Sequence, residues 1–428
     1  MLNKILHTFG TRALSAVINF GIAIALSQFL GPDGKGVQSL IITTITFVLV
    51  FANLVGGATL VYLVPRHSPS VLIVPSVIWT LFVGGVAYAV LMLFPVVDTS
   101  YALHICILAA LNSFTSINSS ILIGKEKINP SNIIGLIQPL VLILSLLLFF
   151  RFSVQPRVDH YIWSLYISFS AAVIVSIAYY FRFCGRIIYH GFKEYINVSI
   201  EMLRFGFPNQ VAHITQMLSF RLSFYVLDNF HGEAAVGVYS NGISIAESIW
   251  LIAKSISLVQ YARISNLDSR PEAATLTVRL MKFSLAASIL LLLPVLLFPS
   301  SFFIWLFGNG FGDTRVVIQS LAIGVLIYNF SILAGHYFSG TGRYHINALT
   351  SSAGLIVSVI LYYTMIPRFG ITGAGWATSL SYLVTTVILM FLFGRENEGW
   401  YKNLAVDKTD LDRIRSVFSN YFRSNLKN

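Results

Sequence analysis

The chain has 428 residues, of which 56% are hydrophobic and only 11% are charged, and its mean hydropathy is +0.76. Soluble globular domains carry about 25% charged residues, so this composition predicts an all-α integral membrane protein and excludes an ordinary soluble enzyme. The net charge of +11 does not indicate nucleic-acid binding, because the cations follow the membrane topology described below. The two cysteines, Cys106 and Cys184, form no disulfide framework.

Apolar stretches of membrane-spanning length recur along the whole chain, since about 20 such residues cross a bilayer core of about 30 Å. Turn sequences separate them, including Gly31-Pro32-Asp33-Gly34, Gly308-Asn309-Gly310 and Pro367-Arg368-Phe369-Gly370. We predict about twelve transmembrane helices, the first of which is retained and not cleaved as a signal peptide. The predicted spans cover residues 10–30, 37–64, 71–95, 100–123, 130–151, 160–181, 203–228, 235–262, 277–305, 314–339, 345–366 and 371–393.

Lysine and arginine are distributed unevenly between the two ends of these spans. With the N-terminus in the cytoplasm, 21 of the 28 cations lie on the cytoplasmic side and five on the outer side. The remaining two, Arg221 and Lys254, lie inside spans. Because cytoplasmic loops carry an excess of Lys and Arg, we predict a multi-pass protein with both termini in the cytoplasm.

The spans divide into two groups of six. Residues 1–181 form a predicted N-terminal lobe and residues 202–393 a C-terminal lobe. Residues 182–201 join them and carry apolar residues at helical spacing between cations, which predicts an amphipathic helix at the cytoplasmic interface. Residues 394–428 are a predicted cytoplasmic tail with a further surface helix.

The two groups share an internal repeat. Residues 29–39 match residues 230–240 at an offset of 201, and both segments join the first and second span of a lobe. A weaker match pairs residues 123–127 with residues 339–343, four spans into each lobe. Because the offset is an even number of spans, the lobes are predicted to be parallel repeats around a central cavity.

The predicted seventh and eighth spans carry four ionisable residues, His213, Arg221, Glu247 and Lys254. A charged side chain at mid-membrane costs roughly 2.5–3.5 kcal/mol, so such residues usually face a cavity or another protein group. The cations could instead extend toward the two membrane interfaces. Glu247 is too short and lies too deep for that alternative.

The turn at residues 228–233 sets the expected register of this hairpin. It places Arg221 at the depth of Asn241, and Glu247 at the depth of Gln216. Two roles stay open for Glu247: a counter-ion for a neighbouring cation, or a group that binds H+ or Na+ and couples transport to an ion gradient.

Two stretches carry a family resemblance. The first turn, Phe29-Leu30-Gly31-Pro32-Asp33-Gly34-Lys35-Gly36, and the late segment from Pro367 through Gly370, Gly373 and Gly375 resemble Wzx-type polysaccharide flippases. This group belongs to the superfamily that also contains the multidrug (MATE) exporters and the lipid II flippase. The resemblance implies two six-helix lobes in the bacterial cytoplasmic (inner) membrane. It also implies transfer of an undecaprenyl-pyrophosphate-linked oligosaccharide, such as an O-antigen repeat unit, to the outer leaflet by alternating access.

Such a substrate needs cations for the diphosphate and amides or aromatic rings for the sugar. Glu247 is the candidate for ion coupling, and no cofactor or metal site is predicted. Membrane lipids and other membrane proteins of polysaccharide assembly are the expected partners, with no nucleic acid. The candidate substrate-binding residues are Arg12, His213, Arg221 and Lys254 for the diphosphate, and Asn19, Asn53, Gln210, Asn241 and Trp250 for the sugar.

Two alternative functions fit the sequence less well than a flippase. A MATE-type cation or drug antiporter would place carboxylates in the cavity, whereas Glu247 stands nearly alone among several cations. A membrane polysaccharide polymerase or ligase typically carries a large outer loop, whereas the longest outer connection here is about residues 152–159. No metal-ligand cluster or Ser/His/Asp pattern is visible either, so an enzyme is the less favoured prediction.

Overall fold

The computed structural model describes residues 2–264, 267, 269–397 and 399–400. Within these residues the chain forms α-helices and one short 3-10 turn, without strands, which confirms the predicted all-α class. The helices are α1 Leu2–Ala52, α2 Gly57–Leu63, α3 Pro69–Leu93, α4 Ala102–Gly124, α5 Ile128–Phe152, α6 Val158–Cys184, α7 Phe192–Ser248, α8 Trp250–Ile264, α9 Arg270–Leu297, α10 Ser300–Phe307, α11 Thr314–Gly340 and α12 Tyr344–Glu396.

Most of these helices have the length and composition of membrane spans. In the described part of the chain, eight helical stretches qualify, and the bent pair of α7 and α8 adds a ninth. Their outer surface is apolar, with Leu290 71% and Ile174 67% exposed. Exposed apolar surface on this scale fits lipid and not water, so the chain is a multi-pass membrane protein. The count is below the predicted twelve because three of these stretches, 10–63, the bent pair over 213–261 and 345–396, each overlap two predicted spans.

Three long helices are interrupted at a glycine. Gly31 in α1, Gly232 in α7 and Gly370 in α12 have φ angles of 68°, 78° and 54°, a region that favours glycine. Each glycine divides its helix into a first and a second arm. The two arms of α7 fold back on each other, as the contact between Phe224 and Tyr239 shows: their ring centroids are 5.7 Å apart. A straight helix would separate these residues by about 22 Å. The turns predicted at Gly31 and Gly370 are therefore confirmed.

The two halves of the stronger repeat share one backbone conformation and touch each other. A Cβ atom on Gly36 would overlap the carbonyl oxygen of Glu233, and a Cβ atom on Gly237 would overlap that of Pro32. At the offset of 201, Gly36 corresponds to Gly237 and Pro32 to Glu233. The two contacts are thus equivalent: exchanging the two halves of the repeat converts one into the other, as at an interface with twofold symmetry.

The weaker repeat has the same structural equivalence. After α4, the N–H of Lys127 donates to the carbonyl of Leu122 over 2.8 Å. After α11, the N–H of Arg343 donates to the carbonyl of Phe338 over the same distance. Both pairs of residues are related by an offset of 216, so the two helix ends close with an equivalent turn.

Three predicted spans are not continuous helices. The span 37–64 is broken at residues 53–56, where two successive glycines weaken the helix. The span 235–262 bends by 42° between α7 and α8, where the Ser248 hydroxyl donates to the Ile245 carbonyl over 2.6 Å and competes with the backbone. The span 277–305 is broken before Pro299, which lacks an N–H for a helical hydrogen bond.

The predicted amphipathic helix over residues 182–201 is also wrong as a single element. Gly185, with φ 79°, ends α6, and residues 185–191 are not helical. The helix resumes at Phe192 as the beginning of α7. The predicted surface helix of the tail lies mainly on residues 401–428, outside the described residues.

Buried apolar residues form four clusters that follow the order of the chain. Two clusters contain residues between Ile22 and Met202. The other two contain residues between Phe224 and Phe393, together with Leu40. Helices α1 and α7 contact each other between these two groups of clusters, and this contact region contains the candidate site.

Alanine at Gly36 or Gly237 is expected to destabilise the protein, because overpacking a close contact costs about 1–3 kcal/mol. Gly85→Ala is the matched control, since a Cβ on Gly85 of α3 would meet no atom within 4 Å. Thermal unfolding of the purified variants in one detergent measures the difference. Equal melting temperatures for all three variants would contradict the close packing of the two turns.

Candidate substrate cavity

A cavity of about 570 Å³ lies between the second arm of α1, the start of α2 and the first arm of α7. Its walls therefore come from both halves of the repeat. Its lining residues are Ile42, Thr43, Thr46, Val50, Asn53, Gly57, Ala58, Gln210, His213, Gln216, Met217, Phe220 and Arg221.

Helical periodicity explains which side chains face the cavity. On α1 the lining positions include 43, 46, 50 and 53, and on α7 they include 210, 213, 217 and 220. Both sets have intervals of three, four and three residues, the spacing of one helix face. Each helix thus presents a continuous stripe to the cavity, and the stripe on α1 carries Thr43 and Thr46 and continues to Asn53, just after the end of the helix.

Hydrogen bonds hold the amides in the cavity wall. The Gln210 Nε2 donates to the Val50 carbonyl over 2.5 Å and links α7 to α1. The Asn53 Oδ1 accepts from the Ser116 hydroxyl over 3.1 Å. Because these amides are oriented by the protein, the cavity presents polar groups in fixed positions.

A bidentate ion pair forms the deep end of the cavity. Arg221 Nη2 lies 2.8 Å from Glu247 Oε2, and Nη1 lies 3.1 Å from Oε1. The Tyr382 hydroxyl donates to Glu247 Oε1 over 3.3 Å. The two charged side chains are 27% and 15% exposed, so the pair is largely removed from solvent. Paired guanidinium and carboxylate groups of this geometry are among the strongest polar contacts in proteins.

The contact between Phe224 and Tyr239 agrees with the predicted register, which places Arg221 at the depth of Asn241, but the Arg221 side chain does not contact that residue. Side chains on a helix tilt toward its N-terminus. In two antiparallel arms, Arg221 therefore extends toward higher residue numbers of the opposite arm and reaches Glu247. Asn241 instead donates to the Ser27 hydroxyl of α1 over 2.8 Å.

Aromatic rings pack behind the ion pair. The rings of Trp250 and Tyr328 are 4.8 Å apart, and Trp250 and Tyr382 are 5.2 Å apart. Phe220 lies 5.3 Å from Tyr382 and lines the cavity, whereas Trp250 is only 1% exposed. The Trp250 Nε1 donates to the Val325 carbonyl over 2.9 Å, so this residue supports the wall from behind.

The cavity brings together part of the predicted site. Asn53, Gln210, His213 and Arg221 line it. Glu247 adjoins the cavity through its ion pair with Arg221.

The other predicted residues lie outside the lining of this cavity. Arg12 and Asn19 are exposed on the first arm of α1. Lys254 is exposed on α8, with its Nζ 5.7 Å from the centre of the Trp250 ring. Asn241 and Trp250 are buried in the contacts described above.

Several lining or supporting residues were not among the predicted site residues. Thr43 and Thr46 could have been found, because they share a helix face with Asn53. Gln216 could have been found in the same way, because it lies one helical turn from His213 on α7; its Nε2 donates to the Tyr328 hydroxyl over 3.1 Å. Tyr382 could not have been found, because 135 residues separate it from Glu247 in the chain.

Breaking the ion pair from one side should cost more stability than removing it entirely, because one buried charge would then lack its partner. Arg221→Met or Glu247→Gln alone is expected to cost about 1–3 kcal/mol. The double variant should recover at least half of that loss. Thermal unfolding in detergent measures all three, with Lys254→Met as the control for loss of an exposed cation. Additive losses in the double variant would show that the two groups do not stabilise each other.

The family described as polysaccharide biosynthesis protein matches residues 1–268. The capsular polysaccharide biosynthesis protein CapF of Staphylococcus aureus is 21% identical over 409 residues, which cover 92% of this chain and 100% of that protein. A protein of Shigella flexneri described as an O-antigen transporter is 24% identical over 284 residues, 65% of each chain.

Two solved structures share the fold over nearly the whole chain. The lipid II flippase MurJ, in an inward closed conformation, has a TM-score of 0.76 at 14% identity and covers 100% of both chains. An inward-facing multidrug transporter of the MATE family has the same TM-score at 15% identity, covering 91% of this chain and 96% of that one. The resemblance to Wzx-type flippases is confirmed, and the chain belongs to the polysaccharide biosynthesis protein family.

Proposed function

We propose that the protein is a flippase for an undecaprenyl-pyrophosphate-linked oligosaccharide, such as an O-antigen or capsule repeat unit. The observation that carries this proposal is the cavity wall, where amides, hydroxyls and one guanidinium converge. None of the thirteen described lining residues is acidic. Arg221 can bind a diphosphate through its planar fork, and the amides suit sugar hydroxyls. The Shigella relative described as an O-antigen transporter supports this substrate class.

We place the protein in the bacterial cytoplasmic membrane with twelve crossings, two six-helix lobes and both termini in the cytoplasm. A straight helix of the 53 residues of α12 would be about 80 Å long, more than twice the bilayer core. Instead, the hydroxyls of Ser358 and Ser381 on its two arms are 2.6 Å apart. A reporter fused after Lys127 is expected in the cytoplasm and one after Asp98 outside, following the Lys and Arg distribution.

Contacts between α7 and the first part of the chain flank the cavity region on both sides. On the outer side, the hydroxyls of Thr44 and Tyr225 are 2.8 Å apart. On the cytoplasmic side, His67 Nε2 lies 2.9 Å from Glu201 Oε2. Alternating access requires one of these two sets to open while the other stays closed.

A cation exporter is the second candidate, because the MATE-family structure shares this fold. Such a protein would need a carboxylate that is free to bind the cationic cargo. Here Glu247 already carries a bidentate contact with Arg221. The exposed polar groups of the cavity therefore favour an anionic, hydroxylated cargo.

Removing the guanidinium should stop translocation even where the fold is preserved. The double variant Arg221→Met with Glu247→Gln is expected to translocate at least about tenfold more slowly, since a charge-assisted hydrogen bond contributes about 1.5–3 kcal/mol. Lys254→Met is the matched control and should keep most of the activity, because Lys254 lies outside the cavity lining.

The measurement uses vesicles that contain the purified protein and a labelled undecaprenyl-pyrophosphate-linked oligosaccharide, without an imposed ion gradient. A membrane-impermeant glycosidase reports the fraction that has crossed. A normal rate in the folded double variant would overturn the assignment of Arg221. Loss of activity in Lys254→Met alone would show that Lys254 belongs to the substrate-binding site, as the sequence predicted.

We further propose that the diphosphate competes with Glu247 for Arg221 and leaves the carboxylate to bind H+ or Na+. Glu247→Gln keeps the size of the side chain and some of its hydrogen bonding but removes the titratable group. Substrate binding should survive in this variant while acceleration by an imposed proton or sodium gradient disappears. A folded Glu247→Gln protein with the gradient response of the native protein would end the coupling proposal without affecting the flippase assignment.

A further inference from the structure

A second cavity opens on the lipid-facing flank of the first six helices. It has a volume of about 270 Å³ and lies between α3, α4 and α6. Apolar side chains form most of its wall, among them Phe114, Val173 and Ile177. Ile187, from the connection between α6 and α7, closes one end. This groove has room for part of one alkyl chain.

The groove is separate from the substrate cavity. The two share no lining residue. A buried cluster that includes Leu60 of α2 and Ile117 of α4 packs between α2, α3, α4 and α6. A molecule in the groove would therefore lie outside the translocation path and stay in contact with the bilayer.

Four cations lie at or just after the ends of α4 and α6 that face the cytoplasm in the proposed topology, where Ile187 lines the groove. Lys127 Nζ and Arg182 Cζ lie 5.3 and 5.6 Å from the centre of the same Phe183 ring. Glu126 is the one carboxylate in this stretch of sequence, so the local charge is strongly positive. The cations at this end are Lys125, Lys127, Arg182 and Arg186.

A buried polar group also belongs to the groove wall. The Tyr180 hydroxyl lies near the Ser70 hydroxyl but makes no well-aligned hydrogen bond among the described residues. The neighbouring Ser70 hydroxyl donates to the Arg186 carbonyl. A buried hydroxyl without a well-aligned partner costs free energy, which a carbonyl oxygen of a ligand would recover.

We propose that this groove binds one anionic phospholipid of the cytoplasmic leaflet. An acyl chain would lie between α3, α4 and α6, the ester carbonyls near Tyr180 and the phosphate among the four cations. Juxtamembrane Lys and Arg residues attract anionic lipids, and the groove adds an apolar contact that a charged surface alone does not provide. The lipid would hold the connection over residues 185–191, and thus the joint between the two halves, against α4 and α6.

Filling the groove tests the acyl-chain contact. Ile177→Trp should reduce the phosphatidylglycerol that stays bound to the purified full-length protein by at least about fivefold, as measured by native mass spectrometry. Ile174→Trp is the matched control, because Ile174 lies on the same helix, is 67% exposed and does not line the groove. Equal lipid retention in the two folded variants would overturn the proposal.

Removing cations tests the headgroup contact. Arg182→Gln with Arg186→Gln should lower phosphatidylglycerol retention about fivefold per cation and reduce its preference over phosphatidylcholine by the same factor. Arg270→Gln with Arg395→Gln removes two exposed cations from the same membrane face and should change neither. Equal retention of both lipids by the native protein would refute the site.

Two competitors identify the source of the phosphate. Inorganic pyrophosphate in excess should not displace phosphatidylglycerol, because it cannot fill the groove. Displacement by pyrophosphate would show a site for free phosphate. Displacement by undecaprenyl phosphate that Ile177→Trp prevents would assign the groove to the substrate tail, and either result would overturn the phospholipid proposal.

Discussion

Backbone groups inside a bilayer cannot donate to or accept from lipid, so each must find a partner within the protein. The described chain meets this constraint with helices, and it departs from helical structure only where other groups take over. At the break between α1 and α2, the Trp79 Nε1 donates to the Phe51 carbonyl and the Ser76 hydroxyl to the Val55 carbonyl, each over 3.1 Å. At Gly31 and its equivalents, glycine permits the positive φ that lets a helix end and another begin. These interruptions bring paired arms around a cavity.

The low polarity of the membrane interior also strengthens the Arg221–Glu247 ion pair. Few water molecules screen the two charges, so their attraction is stronger than at a protein surface, and removing either partner is more costly. An anionic cargo that enters the cavity meets Arg221 already oriented and must displace Glu247 to bind it. The same ion pair therefore stabilises the protein without cargo and must be broken when cargo binds. Tyr382 of α12 also contacts this pair, because its hydroxyl donates to Glu247.

The internal repeat accounts for how the two halves meet. Gly36 and Gly237 have no side chains, so the two backbones can approach closely. Gly36 lies against Glu233, and Gly237 lies against Pro32, the residue equivalent to Glu233. The cavity and the lipid groove, by contrast, break the symmetry. The groove belongs to α3, α4 and α6, whereas Glu247 and its aromatic support belong to the second half.

Local chemistry in the sequence determined the membrane class, the turns at Gly31 and Gly370, and the repeat at an offset of 201. The first two depend on composition and on neighbours within one turn, and the repeat is a similarity between two stretches of the sequence itself, so a sequence displays all three directly. Tertiary structure alone decided that Arg221 pairs with Glu247 and that Trp250 is buried beneath the cavity wall. The first depends on the tilt of side chains between antiparallel arms, across 26 positions of the chain, and the second on contacts with Val325 and Tyr382, 75 and 132 positions away. Such distances become short only when the helices pack.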